Sequence, residues 1–284
     1  MIPKNFNEYV NLMKETVTKM GAKAEISTGF KSNGSNVVRL SVLFEGQTRG
    51  VSHRISDMFE EYINESDPQA QAELLNKQLE YVRSTPHVPE KLVNKELISK
   101  LEHFSSTKDF IVCSVINTQT HQAFLTEIPH VDHLDLSIIF SLDLNDTYQV
   151  TITNQMMDSW KVTVKDLWEC AKENTVKING LSLIELPGMI GVTNSNKYKG
   201  AGLLFDPHVL HDLSVKYDCD FYIILSSIHE FLLLPVNDES TQNLEDLREY
   251  VKVVNRNGEI VSPEDVLSDE IYYYDRDQNS LSFA

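Results

Sequence analysis

Cysteine is scarce in this chain. Cys113, Cys170 and Cys219 are the only three among 284 residues. They lie far apart, and no C-x-x-C spacing occurs. An odd, dispersed set argues against a disulfide framework and against a cysteine-rich zinc site, and it points to a reducing compartment, the cytosol. Cys113 and Cys219 lie in or beside apolar runs and are expected as small core residues. Positive charge is in deficit as well: 25 Lys and Arg against 42 Asp and Glu leave a formal net charge of −17. Nucleic-acid binding rests largely on Lys and Arg neutralising phosphates. No stretch here concentrates them, because the densest ones, Lys91 to Lys100 and Lys197 to Lys199, are diluted by Glu or by neutral residues. The same acidity disfavours docking on an anionic membrane.

Long apolar runs are missing. The longest, Phe231 to Val236, is strand-sized, far short of the roughly 20 residues that span a bilayer. The first residues, Met1-Ile2-Pro3-Lys4-Asn5-Phe6, lack the apolar core of a signal peptide. What remains is the composition of an ordinary globular protein, 41% hydrophobic and 24% charged. Its length is enough to bury a core in one large domain or two smaller ones.

The periodicity changes along the chain. Phe6, Tyr9, Val10, Met13, Val17 and Met20 recur at helical spacing and predict a first helix ended by Gly21. Short extended pieces, Ala24 to Thr28 and Val37 to Glu45, flank the turn-rich Lys31-Ser32-Asn33-Gly34-Ser35. Ile55, Met58, Phe59, Tyr62 and Ile63 predict a second helix. Asp67-Pro68 reads as an N-cap followed by proline at the first helical position, opening a third helix to about Val82. A fourth carries Leu92, Leu97, Leu101 and Phe104. Strands dominate afterwards. Phe110 to Ile116 reads as a buried strand. From His133 to Leu144 the alternation predicts one half-buried strand, with Asn145-Asp146-Thr147 turning it back into Tyr148 to Thr153. Thr163-x-x-Asp166 opens a helix as a capping box, and Met189 to Thr193 forms a short strand. Asp206-Pro207 starts the helix of Leu210, Leu213 and Tyr217. Phe221 to Leu225 and Phe231 to Val236 are strands, Leu244 to Val254 a helix, Ser262-Pro263-Glu264-Asp265 a helical turn and Ile271 to Tyr274 a last strand. Helices early and hairpin-like strands late predict an α+β fold: a helix-rich N-terminal part packed with a mixed, largely antiparallel sheet and helices. The division is expected near residue 105, giving regions 1–105 and 106–284.

One segment carries the most chemistry. Ser226-Ser227-Ile228-His229-Glu230 offers hydroxyls, an imidazole and a carboxylate within five positions. A hydrolase would use Ser226 or Ser227 as nucleophile, His229 as base and Glu230 to orient it. If the segment is extended, Ser227 and His229 share a face about 6.6 Å apart while Glu230 points away. No G-x-S-x-G elbow is present. The simpler reading joins two strands and lets these side chains satisfy backbone groups of the connection. His208 and His211, with His229, are candidate zinc ligands by residue type. The positive helix end disfavours a cation there, and Asp206 is needed as a cap. His130, Asp132, His133 and Asp135 alternate across both faces of the expected strand and read as solvated. Asn154 and Asn194 follow strand-like runs and are candidate ligand-pocket amides, with turn and cap roles as the plainer alternative. Gly188-Met189-Ile190-Gly191 lacks the features of a P-loop.

Several pieces of the second half match a known pattern. They are Asn154-x5-Trp160-x-Val162-Thr163, then Leu167, Ala171 and Asn174-Thr175, then Thr193-Asn194, Gly200-Ala201, Leu203-Leu204, Pro207 and Leu210. Asp220-Phe221-Tyr222-Ile223 follows, running into Ser226-Ser227-Ile228-His229-Glu230 and Pro235. Val254-Asn255, Val266-Leu267-Ser268-Asp269, Tyr272 and Tyr274 complete it. In these the chain resembles an uncharacterised bacterial family, domain of unknown function 5688. The likeness spans roughly residues 110–276, and more loosely Lys31-Ser32-Asn33-Gly34 and the helix around Phe59 to Tyr62. Leu225 stands where the family pattern has proline. The resemblance implies a coherent fold and says nothing about chemistry. The sequence therefore leads to a cytosolic binding or regulatory module with an unidentified protein or small-molecule partner, and without nucleic acid, membrane, metal or cofactor. The alternative is a hydrolase-like enzyme centred on Ser226, Ser227, His229 and Glu230.

Overall fold

The structure is a computed structural model that describes residues 2–31, 33–45, 51–84, 101–145, 148–236 and 244–284. The chain divides into two compact units, one made of Met1–Lys31 with Ser35–Glu96, the other of Ser32–Gly34 with Leu97–Ala284. The expected helix through Leu92 and Leu97 lies outside the described residues.

The first unit begins with helix α1 (Phe6–Thr18), whose N-cap Asn5 accepts from the Glu8 N–H. Strands β1 (Ala22–Phe30), β2 (Asn36–Phe44) and β3 (Val51–Arg54) form an antiparallel sheet in that order. Helices α2 (Ile55–Asn64) and α3 (Pro68–Arg83) follow, and Asp67 caps α3 through the Gln69 and Ala70 N–H groups with Pro68 at the first helical position. Tyr9, Met13 and Val17 of α1 meet Leu40, Ile55, Tyr62 and Leu79 in a core of their own. Polar atoms inside it are paired, as burial demands: Tyr9 donates to Gln78 at 2.7 Å, and Gln78 donates to the Met58 carbonyl at 2.8 Å.

The second unit holds two sheets. Short helix α4 (Phe104–Thr107) leads into β4 (Ile111–Asn117), and α5 (Gln122–Leu125) into β5 (His130–His133), β6 (Leu136–Asn145) and β7 (Tyr148–Thr151). These strands make a four-stranded sheet in which β6 pairs with all three others. Helices α6 (Asn154–Trp160) and α7 (Val164–Asn179) come next, α7 opened by the expected Thr163–Asp166 capping box. A six-stranded sheet is then built from β8 (Ser182–Leu186), β9 (Met189–Thr193), β10 (Phe221–Ile224), β11 (Glu230–Pro235), β12 (Ile271–Asp275) and β13 (Ser280–Phe283). Its order is β13-β12-β10-β11-β9-β8. A 3-10 segment, Gly200–Phe205, and helix α8 (Val209–Tyr217) separate β9 from β10, and α9 (Leu244–Asn255) separates β11 from β12. Every strand pairing among the described residues is antiparallel. The fold is α+β.

One core runs through the unit, with Phe140, Leu167, Val192, Phe221, Phe231 and Tyr272 almost wholly buried in it. Each such side chain contributes about 2–3 kcal/mol by leaving water. Helix α7 seals it with Leu167 and Ala171, and its Asn174 and Thr175 hydrogen-bond the Ile111 carbonyl and the Cys113 N–H of β4.

The single strand expected from His133 to Leu144 is broken. Leu134 adopts a left-handed φ of 58°, and β5 turns back onto β6 with His133 opposite Leu136. The strain of a leucine there, about 1–2 kcal/mol, is offset by anchoring its neighbour. Asp135 accepts from Tyr272 at 2.5 Å and from Ser268 at 2.7 Å. Asp135 is thus part of a network rather than solvated as expected, whereas Asp132 is exposed while accepting from Ser137 at 2.6 Å. The expected cap at Asp206 is also displaced: α8 starts at Val209, and Asp206 accepts from the His208 N–H instead.

Candidate functional site

The segment Ser226-Ser227-Ile228-His229-Glu230 lies where β10 passes into β11. Its backbone pairs with the stretch before β12: Ile228 N–H donates to the Asp265 carbonyl, Leu267 N–H to Ser226 and Ser268 N–H to Leu225. Ser227 and Val266 form an antiparallel bridge. From the other side, Ala201 N–H donates to the Ile228 carbonyl at 3.1 Å and the Thr193 hydroxyl to the His229 carbonyl at 2.8 Å. A connection between strands thus has its main-chain groups satisfied by three neighbouring segments.

The side chains are spent in the same way. Ser227, 5% exposed, uses its Oγ to accept the backbone N–H of His229 at 2.9 Å. The His229 ring uses Nδ1 to accept the backbone N–H of Lys199 at 3.2 Å, which fixes the proton of the neutral ring on Nε2. Nε2 faces Asp265 Oδ2 at 3.4 Å. The imidazole therefore has no lone pair aimed at either serine, and a base that cannot reach the hydroxyl proton cannot activate it. Glu230 is exposed and begins β11, level with Thr193 of β9, so its carboxylate does not orient the ring. The acid that meets His229 is Asp265, which the sequence presented only as part of a proline-led turn.

Lys199 is the second residue that sequence reasoning passed over. It sits in the left-handed region, φ 56°, as does Lys197 at 57°. The tight loop that imposes this is clamped by Asn194, which accepts from the Tyr198 N–H at 3.0 Å and donates to the Tyr198 carbonyl at 2.7 Å. Lys199 itself is only 5% exposed. Its Nζ reaches Gln149 Oε1 at 3.1 Å and lies 5.5 Å from the Tyr198 ring centre. Burial pulls its ammonium down to about 8, against the opposing pull of Asp265. Asp265 also accepts from Asn33, which belongs to the same unit, at 3.3 Å. The result is a polar cluster that holds a corner of the sheet.

Gly200 shows how tightly that corner is closed. A Cβ there would stand 2.5 Å from the His229 carbonyl oxygen, 2.5 Å from Thr193 Oγ1 and 2.7 Å from the Asn194 nitrogen. Only a glycine lets these backbones approach.

The two candidate amides are not brought together. Asn154 donates to the Thr126 carbonyl at 3.0 Å, next to the start of α6, while Asn194 is committed to Tyr198. His208 and His211 are both exposed. Among the described residues no group of three or more His, Cys, Asp or Glu side chains is placed to hold a metal ion. No described helix is long and apolar enough to cross a membrane.

A concave site exists elsewhere in this unit. Helices α7 and α8 flank a groove of about 760 Å³ with an apolar floor that includes Val176, Leu181, Leu183 and Leu213. Charged side chains stand on its walls, among them Lys177, Lys216, Glu173 and Asp212. Lys172 is paired with Glu169 at 2.8 Å, and Asp206 is occupied by the His208 N–H. The volume falls in the range of ligand clefts, about 300–1,000 Å³. Nothing in the sequence marked it, since its residues come from a helix face, an edge strand and a second helix that meet only in the fold.

Compared with known proteins, the chain matches the profile of a family of unknown function, DUF5688, over residues 3–191 and again over 183–276. No curated protein matches, and no solved structure does.

Proposed function

The chain belongs to DUF5688, a family of unknown function, and since that membership supplies no activity, we propose from the geometry that this protein is a binding module without catalysis of its own. Its recognition surface is the groove between α7 and α8. The observation that carries the reading is the groove itself: about 760 Å³ with an apolar floor and charged walls, the composition that binds apolar groups and orients them with a few polar contacts. The commitment of Ser227 and His229 to backbone partners supports the non-catalytic half of the proposal. A reducing, cytosolic setting suits the three free cysteines.

The test is a small-fragment screen by methyl NMR on the full chain. Fragments are expected to shift the methyls of Val176, Leu181 and Leu183 together. In parallel, generic ester, peptide and phosphoester substrates are expected to show no turnover. Turnover that disappears in a folded Ser227→Ala variant would sink the reading, as would a screen in which no fragment perturbs the groove.

A further inference from the structure

Strand β8 ends the six-stranded sheet. It is bonded to β9 on one side through an unbroken register, from Ser182 opposite Thr193 to Leu186 opposite Met189. Its other edge presents main-chain N–H and C=O groups with no strand partner among the described residues. Edges of this kind template the addition of another strand unless something blunts them. Most of the usual devices are missing from the strand: Ser182–Leu186 contains no lysine, no proline and no register shift, and Glu185, its sole charge, is the one it has. Aliphatic side chains flank the edge in the open, with Leu181 39%, Ile184 42% and Leu186 41% exposed.

The pleat joins this edge to the groove. Leu183 and Glu185 lie opposite Val192 and Ile190, which face the core, so they share that face. Ile184 and Leu186 take the other. Leu183, with Leu181 before the strand, lines the groove between α7 and α8. A chain laid along β8 would bond to the edge through its backbone while every second side chain turned toward the groove. That is the division of labour of strand-addition sites, where main-chain bonds give affinity and pockets for alternate side chains give specificity.

We infer that β8 and the groove form one site that captures an extended segment of a partner protein, a strand whose groove-facing side chains are aliphatic except for one Lys or Arg set beside Glu185. The inference rests on the binding reading above and names its occupant. Charge selects the basic residue, because Glu185 is the strand's only charge and the whole chain carries −17. The same charge opposes a second copy of this protein, which would bring another −17 to the contact. Area opposes it too. A few partly exposed aliphatic side chains supply only a small part of the about 1,600 Å² that a standard stable interface buries. An extended peptide needs less area, since it is held by backbone hydrogen bonds.

The experiment measures fluorescence anisotropy of a fluorescein-labelled nonapeptide alternating valine and threonine, with one valine replaced by lysine, titrated with the full chain. Three further peptides replace lysine by glutamate, or carry N-methyl groups on the amides of one edge or of the other. The parent is expected to bind. Methylation of one edge should weaken it about tenfold or more while methylation of the other leaves it unchanged. The glutamate peptide should bind more weakly than the parent, and Glu185→Lys should invert that order. Failure of the parent peptide to bind, equal binding of both methylated forms, or a dimer of the chain that excludes the peptide would overturn the inference. If fragments shift the groove methyls but the peptide does not bind, strand addition alone is lost. If neither binds, the binding reading falls with it.

Discussion

The backbone N–H of Lys199 points at Nδ1 of His229, 3.2 Å away. The imidazole therefore serves as an acceptor that holds a strained, left-handed lysine in place, and Asp265 steadies its other nitrogen. Replacing His229 by alanine removes the acceptor of the Lys199 N–H and one of the partners of Asp265. We expect His229→Ala to cost about 1–3 kcal/mol in urea unfolding and Ser227→Ala about 1 kcal/mol. Fragment binding at the groove should persist in both folded variants. A variant that kept full stability would show that the ring is not a structural acceptor.

Gly200→Ala should cost at least as much. The added methyl would meet two backbone groups and a buried hydroxyl at 2.5–2.7 Å, none of which is the end of a flexible side chain. Overpacking against fixed backbone costs about 1–3 kcal/mol or more, so the expected result is a large fall in thermal midpoint or insoluble protein. Gly258→Ala is the control for the loss of a glycine without a clash. Its Cβ would meet only the Pro263 side chain at 3.8 Å, and the change should cost less.

Lys199 predicts a pH dependence. Burial lowers its pKa from 10.5 to about 8, so the unfolded chain holds this proton more tightly than the folded one. Below about pH 8 both states are charged and folding carries the full penalty. Between about 8 and 10.5 the folded state has released the proton while the unfolded state keeps it, and stability gains with rising pH. The gain is on the order of 3 kcal/mol. Urea unfolding of wild type and Lys199→Met over this window should show the wild type rising relative to the variant. Parallel curves would contradict the buried ammonium.

Tyr272 and Asp135 form the other polar anchor. The phenol donates to Asp135 at 2.5 Å, and burial together with that carboxylate pushes the hydroxyl well above the usual tyrosine range. Tyr272→Phe leaves a charged acceptor short of one donor and should cost about 1.5–3 kcal/mol, measured by denaturant unfolding. It should also loosen the turn at Leu134, visible as faster amide exchange at His133 and Leu136.

What the sequence made legible follows from how local each signal is. The Asp67-Pro68 start of α3 and the Thr163–Asp166 box of α7 are written in a few adjacent residues, and both hold. The α+β class followed from periodicity alone. The turn at Leu134 was hidden because it carries neither Gly nor Asn, and its strain is offset by Tyr272 and Ser268 from far along the chain. Strands β8 and β13 were passed over because Ser182–Leu186 and Ser280–Phe283 mix serine or glutamate with their apolar residues and form no apolar run of the kind that marks Phe221 to Leu225. At the candidate site the Ser227–His229 segment was identifiable by residue type. Its decisive partners, Lys199 and Asp265, were not, because each is brought to the ring by a different loop.

The most direct test of the central claim is the state of the His229 ring. Two-bond proton–nitrogen correlation spectra of the folded chain at neutral pH should show a neutral imidazole with the proton on Nε2 and Nδ1 as a bare acceptor, unchanged in Ser227→Ala. A ring protonated on Nδ1, or one whose nitrogen signals move when the Ser227 hydroxyl is removed, would place a serine–histidine couple where this account has a structural corner.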